Sequence, residues 1–168
     1  MPSEDRHLFK YLLTSSAFLF VGTVHGVLQV IRPVRHWLDS IGSPYGGPGH
    51  MIDPLAHAHI NVIGGVMLIL MGVTYYLVPR FTGHPVWSRR LVEHTFWWTT
   101  LGVIGFYSTL MIFGIWEGWL LLNDPGKMEA VHRMYGPTIA IVSTVMGMGF
   151  WIFFTNLFIT ARRFYRQS

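Results

Sequence analysis

The chain has 168 residues, 51% of them hydrophobic and 15% aromatic, with a formal net charge of +4. Only 12% are Asp, Glu, Lys or Arg, about half the roughly 25% of an ordinary soluble domain. None is cysteine, which excludes disulfides, thiolate metal sites, iron–sulfur clusters and C-x-x-C-H haem attachment.

Where the charges are missing places the elements. Residues 11–31, 55–79, 95–116 and 137–161 contain no Asp, Glu, Lys or Arg, and each stretch reaches the about 20 apolar residues that a bilayer crossing requires. This predicts an all-α membrane protein with four transmembrane helices, forming one domain over residues 1–168. Too little chain remains outside the spans for a soluble catalytic domain.

The first span is expected over about 8–31, stopped by Arg32 and Pro33 because proline has no amide donor. Glu4, Asp5 and Arg6 ahead of a long apolar run argue against a cleavable signal peptide. A loop rich in breakers follows: Gly42, Pro44, Gly46, Gly47, Pro48 and Gly49. Asp53 and Pro54 read as an N-cap and first helical residue opening the second span, about 55–79, which should end at Pro79 and Arg80. The third span is expected over about 92–122. Asp124 and Pro125 repeat the cap, and Pro137 should interrupt that helix, giving an interfacial turn over 125–136 and a fourth span over 137–161.

Four crossings put both ends on one side. That side carries Arg6, Lys10, Arg80, Arg89, Arg90, Arg162, Arg163 and Arg166, against Arg32, Arg35, Lys127 and Arg133 on the other. The excess predicts cytoplasmic termini in a cell inner membrane. The net positive charge is thus a topology signal, and no nucleic-acid partner is expected.

This topology sorts nine histidines by depth. His25, His57, His59 and His132 fall at one level near the outer ends of the spans. His7, His84 and His94 fall on the inner side, and His36 and His50 in or beside the outer loop, where solvated or interfacial imidazoles are expected. On a helix His57 and His59, two residues apart, point about 200° from one another. They cannot share one metal ion, so they serve two centres on opposite sides of the second span, or they are interfacial and hydrogen-bonded to loop carbonyls. His25 reads first as a helix-to-helix hydrogen bond, and Asn61 and Asn156 as polar glue between helices. Glu117 is placed to titrate or to pair with Arg133. Arg32, Arg35 and Arg133 lie on the histidine side, available to carboxylates. Nine methionines are scattered without an H-x-x-x-M or M-x-x-M cluster at that depth, so copper is not expected.

The text Leu-Ala-His-Ala-His-Ile-Asn-Val-Ile-Gly-Gly at 55–65, continuing to Tyr-Tyr-Leu-Val-Pro-Arg at 75–80, resembles the tenth helix of haem-copper oxidase subunit I. The likeness is strongest to C-family cytochrome oxidases and nitric oxide reductases. His94-Thr-Phe-Trp-Trp resembles the start of helix eleven, Gly114-Ile-Trp-Glu-Gly-Trp its end, and Met128-Glu-Ala-Val-His-Arg-Met-Tyr the approach to helix twelve. The first span resembles helix nine weakly. The chain therefore resembles one four-helix arc, helices nine to twelve, of the three arcs in that family.

The resemblance implies that His57 and His59 are haem ligands, to the high-spin and low-spin haem respectively; Arg32, Arg35 and Arg133, by their place on the histidine side, are then available to haem propionates, with Arg133 taken as the cofactor-binding one. Counterparts of helices one to eight, with the second low-spin ligand and the histidines of the second metal, are not in these residues. The arc likeness implies a homotrimer in which three copies replace three arcs. His57 of one protomer and His59 of the next would then hold haem b iron at each interface; the intrachain alternative uses His25 or His132 as second ligand. The implied function is electron transfer or redox or gas sensing by a membrane cytochrome with a redox partner protein or quinol. The alternatives are an oxidase or nitric oxide reductase module with an open haem site, and a non-redox accessory subunit.

Overall fold

The computed structural model describes residues 3–45 and 47–167; of the loop breakers, Gly46 lies outside the described residues. A 3-10 helix over Ser3–Leu8 leads into α1, Phe9–Val30. α2 covers Arg32–Ile41 and α3 Pro54–Thr82, followed by α4, Arg89–Asn123, and α5, Pro125–Gln167. No strand occurs among the described residues. α1 with its leading turn, α3, α4 and α5 are each long and apolar enough to cross a membrane. The protein is a multi-pass membrane protein whose surroundings are the lipid bilayer.

The Asp53 cap acts as the sequence predicts. Asp53 accepts from the amides of Leu55 at 2.6 Å and Ala56 at 3.3 Å, taking up donors that the first turn of α3 leaves free. Ser88 does the same for Leu91 at the start of α4.

Past three prolines helical structure continues where the sequence predicts a stop. α1 ends at Val30, ahead of Arg32 and Pro33 as expected, but a second helix follows in place of a loop: Ile31 turns the chain with extended backbone and Pro33 sits in the first turn of α2, where its missing amide costs nothing. Pro79 lies inside α3, which runs on to Thr82 and stops at Gly83 in the left-handed region, φ 68°. Pro137 does not interrupt α5, which is continuous from Pro125. One proline removes one ladder bond, and hydroxyl side chains in membrane helices take up carbonyls near such breaks. Thr138 Oγ1 donates to the Met134 carbonyl at 2.8 Å in that turn.

A second departure lies within α3. Pro54–His59 is α-helical, Ile60–Met67 is π-helical, and Leu68–Thr82 is α-helical again. The Leu68 amide reaches back five residues to the Ile63 carbonyl. π turns are rare and are often found at functional positions; this one starts directly after His59.

The helices pack in chain order, α1 on α3, α3 on α4 and α4 on α5, and α1 and α5 share no comparable contact. The result is an open row with α4 the most buried span and α5 the least. Small residues set the closest approaches. A Cβ on Gly102 would strike the Met146 backbone, and one on Gly149 would lie 2.7 Å from the Thr99 amide nitrogen. Buried Asn156 ties α5 to the start of α4, accepting from the Ser88 amide and donating to its carbonyl, both at 3.0 Å. Tyr11 donates its hydroxyl to the Val92 carbonyl at 2.6 Å, joining α1 to α4.

The α4–α5 seam predicts an asymmetry between glycines. Gly102→Val should lower thermal stability in detergent, followed by far-UV circular dichroism, by about 1–3 kcal/mol through overpacking. Gly147→Ala, which meets only ordinary contacts with Trp151, should be neutral or raise stability by up to about 1 kcal/mol.

Candidate haem-ligand site

Two glycines one turn apart on α1 receive the first turns of α3. A Cβ on Gly22 would overlap the Asn61 amide, and one on Gly26 would lie 2.5 Å from His57 Cε1. The Gly-x-x-x-Gly spacing thus lets α1 close onto the His57–Asn61 edge, as small residues do between membrane helices.

The contact selects a tautomer. His57 Nδ1 lies 2.8 Å from the Gly22 carbonyl oxygen, which only accepts, and 3.1 Å from Asn61 Nδ2, which only donates; the shorter contact puts the hydrogen on Nδ1, and Asn61 is satisfied by the carbonyl behind it. Asn61 Nδ2 donates to the His57 carbonyl at 3.0 Å. His59 repeats the pattern on its own helix: Nδ1 donates to the Leu55 carbonyl at 2.8 Å. In the neutral form both imidazoles therefore present the Nε2 lone pair. Carbonyl-bound Nδ1 with free Nε2 is the arrangement in which histidine ligates metals.

The two rings face different neighbours. His57 lies against α1, and His59 lies over the Phe106 ring of α4, with centroids 4.3 Å apart. Their separation on the helix thus becomes a separation in space, one ring per side of α3.

His25 is buried and adjacent to His57, with ring centroids 6.0 Å apart. Both of its nitrogens are engaged, Nδ1 with the Tyr107 hydroxyl at 3.1 Å and Nε2 with Gln29 Nε2 at 3.4 Å. Its helix-to-helix hydrogen bond runs from α1 to α4 through Tyr107, a residue with no expected role. His132 does not join them. Its Nδ1 donates to Glu117 Oε1 at 3.0 Å, and Glu117 Oε2 accepts from the Gly49 amide at 3.1 Å. Glu117 is thus partnered by His132 and the loop, and the adjacent Arg133 is exposed. Among the described residues, no three His, Asp or Glu side chains come together as a metal-holding group.

The loop over this end is firmly seated. The His50 carbonyl packs where Gly114 lacks a side chain, and a Cβ on Gly118 would lie 2.6 Å from the Gly49 oxygen. Here again glycines four apart admit backbone, the signal that would have located the contact in the sequence. His50, expected at an interface, is 7% exposed. Burial pushes its imidazole below the ordinary value near 6.5, with the Asp53 carboxylate opposing. Glu117, His132, Asp53 and Tyr135 share the lining of a cavity of about 180 Å3 beneath the loop.

The family model described as Cytochrome C and Quinol oxidase polypeptide I matches residues 54–154. The cbb3-type cytochrome c oxidase subunit CcoN1 of Stutzerimonas stutzeri is 26% identical over 162 residues, covering 86% of this chain and 32% of that protein. Cytochrome c oxidase subunit 1 of Rhodobacter capsulatus is 26% identical over 135 residues, covering 79% of this chain and 23% of its own length. The bacteroid cytochrome c oxidase subunit 1 homolog of Bradyrhizobium diazoefficiens is 25% identical over 163 residues, with shares of 86% and 28%. The chain thus spans about a quarter to a third of the length of these relatives. No solved structure is a significant match.

Two outcomes follow from the loop contacts. Because folding lowers the His50 value, the unfolded chain binds the extra proton first; stability should be full above pH 6.5, fall as pH drops below it, and level off beneath the folded value. His50→Gln should flatten that slope in thermal melts. Glu117→Ala leaves the Gly49 amide unpaired, at a cost of about 1–3 kcal/mol, and should accelerate hydrogen exchange at that amide above all others in the loop.

Proposed function

The chain belongs to the Cytochrome C and Quinol oxidase polypeptide I family, and on that premise we propose that it is a haem b-binding membrane cytochrome serving electron transfer or redox or gas sensing. The observation that carries this reading is the common state of His57 and His59: each gives Nδ1–H to a backbone carbonyl and keeps Nε2 as a ligand atom. The donor set suits haem iron, since neutral imidazole is a usual axial ligand and a carbonyl behind it fixes ring orientation and raises basicity. Bound haem b supplies a one-electron couple whose potential is set by axial ligands and burial.

The chain's own residues then have separable tasks. Gly22 and Leu55 hold the tautomers, Asn61 braces the His57 turn, and Phe106 supports the His59 ring. Because the two imidazoles lie on different sides of α3, each haem needs a second ligand from elsewhere. We assign it to a neighbouring copy in a homotrimer, His57 of one protomer and His59 of the next. The open row of helices, with α1 and α5 as unjoined edges, supports such assembly. His25 is a poorer second ligand than His59, because both its nitrogens are already hydrogen-bonded. Exposed Arg133 is the cation proposed for a haem propionate. The excess of Lys and Arg on the terminal side supports cytoplasmic termini in the inner membrane, and a redox protein or quinol is the proposed electron partner.

Absorption spectroscopy of the protein purified in detergent tests the reading. A Soret band and a sharp reduced α-band are expected, with no change on adding carbon monoxide. His57→Ala and His59→Ala should each lose haem, and native mass should correspond to three chains. Absence of a Soret band after haem-sufficient expression would overturn haem binding, and a haem-loaded monomer would overturn the trimer. A carbon monoxide shift would move the assignment to an oxidase-type or nitric oxide reductase-type open site.

A further inference from the structure

At the face that carries the termini, α1 and α3 diverge around a groove of about 390 Å3, within the roughly 300–1,000 Å3 of small-molecule sites. Leu8, Leu12, Val73 and Leu77 wall it. Tyr11 and Gly72 make its floor: a Cβ on Gly72 would lie 2.6 Å from Tyr11 Cβ, so the missing side chain lets the two helices close beneath the groove. The Tyr11 hydroxyl is taken up by the Val92 carbonyl, so the floor presents an apolar ring. Leu12 is 44% and Val73 40% exposed, so the groove opens sideways, where the lipid lies. From Ile69 to Leu77 its α3 wall is about 12 Å long at 1.5 Å per residue, close to half of the roughly 30 Å hydrocarbon core. This is one leaflet deep.

At the water end of the groove Asp5, which lines it, is paired with Arg80 beside it. Arg80 Nη2 donates to Asp5 Oδ2 at 2.7 Å and Nη1 to the Tyr76 carbonyl at 2.6 Å, with the guanidinium 3.4 Å from the Tyr76 ring centroid. A guanidinium has five N–H donors; these two bonds leave three, and the Arg80 side chain is 40% exposed. Asp5 lines the groove and uses one carboxylate oxygen on Arg80. An apolar slot of leaflet depth, with an anchored cation and anion side by side at its mouth, is complementary to a lipid whose headgroup carries an anion next to a cation.

We propose that this groove is a binding site for a glycerophospholipid with a primary-ammonium headgroup. One acyl chain fills the slot, the phosphate accepts from the free donors of Arg80, and the ammonium donates to Asp5. Arginine's planar fork suits phosphate, and a primary ammonium, unlike a trimethylated one, has hydrogens to give the carboxylate. The site lies at the opposite end of α3 from His57 and does not depend on the haem reading.

The test reconstitutes the full chain in vesicles of equal parts phosphatidylethanolamine, phosphatidylcholine and phosphatidylglycerol, extracts it in mild detergent, and counts retained lipid by native mass spectrometry. Phosphatidylethanolamine should be retained in preference to the other two. Arg80→Gln should lower its retention about tenfold, the equivalent of one charge-assisted hydrogen bond. Asp5→Asn should abolish the preference over phosphatidylcholine, and Val73→Trp should expel lipid with the helical circular dichroism unchanged. Equal retention of the three lipids by the native chain overturns the headgroup assignment, and this readout stands whether or not the variants fold. Undiminished retention by a folded Val73→Trp protein, or a photo-crosslinker at position 73 that captures a second copy of the chain, overturns the groove.

Discussion

The hydrogen bond from His57 Nδ1 to the Gly22 carbonyl joins packing and chemistry in this protein. It exists because α1 carries no side chain at positions 22 and 26, where the Asn61 amide and the His57 ring sit instead. Within a bilayer there is little hydrophobic gain in bringing two apolar helices together, so close backbone approach and interhelical hydrogen bonds hold the pair. The same bond removes the choice between imidazole tautomers. A single 2.8 Å contact therefore both positions α3 on α1 and leaves one ring nitrogen as a bare lone pair.

The rest of the row follows one economy. Several polar side chains inside the spans are partnered across helices: Tyr11 with the Val92 carbonyl, Tyr75 with Thr95, Asn156 with Ser88, Glu117 with His132 and the Gly49 amide; the buried hydroxyls of Ser15 and Thr100 find no hydrogen-bond partner. Each bond links elements distant in sequence and takes the place of water that the hydrocarbon layer lacks. At the loop end Gly114 and Gly118 admit the backbone of residues 49 and 50, so this part of the segment before α3 packs directly on α4.

Much of this was legible in the chain. Charge gaps locate four spans because an unpaired charge in hydrocarbon is expensive, and Asp53 with Pro54 marks the start of α3 through local capping chemistry. The two-residue spacing of His57 and His59 dictates their opposite placement from helix geometry alone. Tertiary facts were not legible. The continuity of α5 through Pro137 depends on what surrounds the lost ladder bond, and the burial of His50 on glycines more than sixty residues away. Glu117 chose His132 over Arg133 because successive helical residues point about 100° apart, and that choice required knowing which face of α5 meets α4. The amphipathic α2 hid behind a proline that ends one helix and begins the next.

The wide turns of α3 have a geometric consequence beyond their hydrogen bonding. One extra residue held in a π turn advances the azimuth of everything before it by about 100° relative to an unbroken α-helix. The segment Ile60–Met67 works as a phase shifter between the two ends of one rod. The lower half is free to orient Leu68, Met71 and Tyr75 into the core, while the upper half is clocked separately so that one imidazole meets α1 and the other meets α4. A straight helix would have to satisfy both demands with a single rotation.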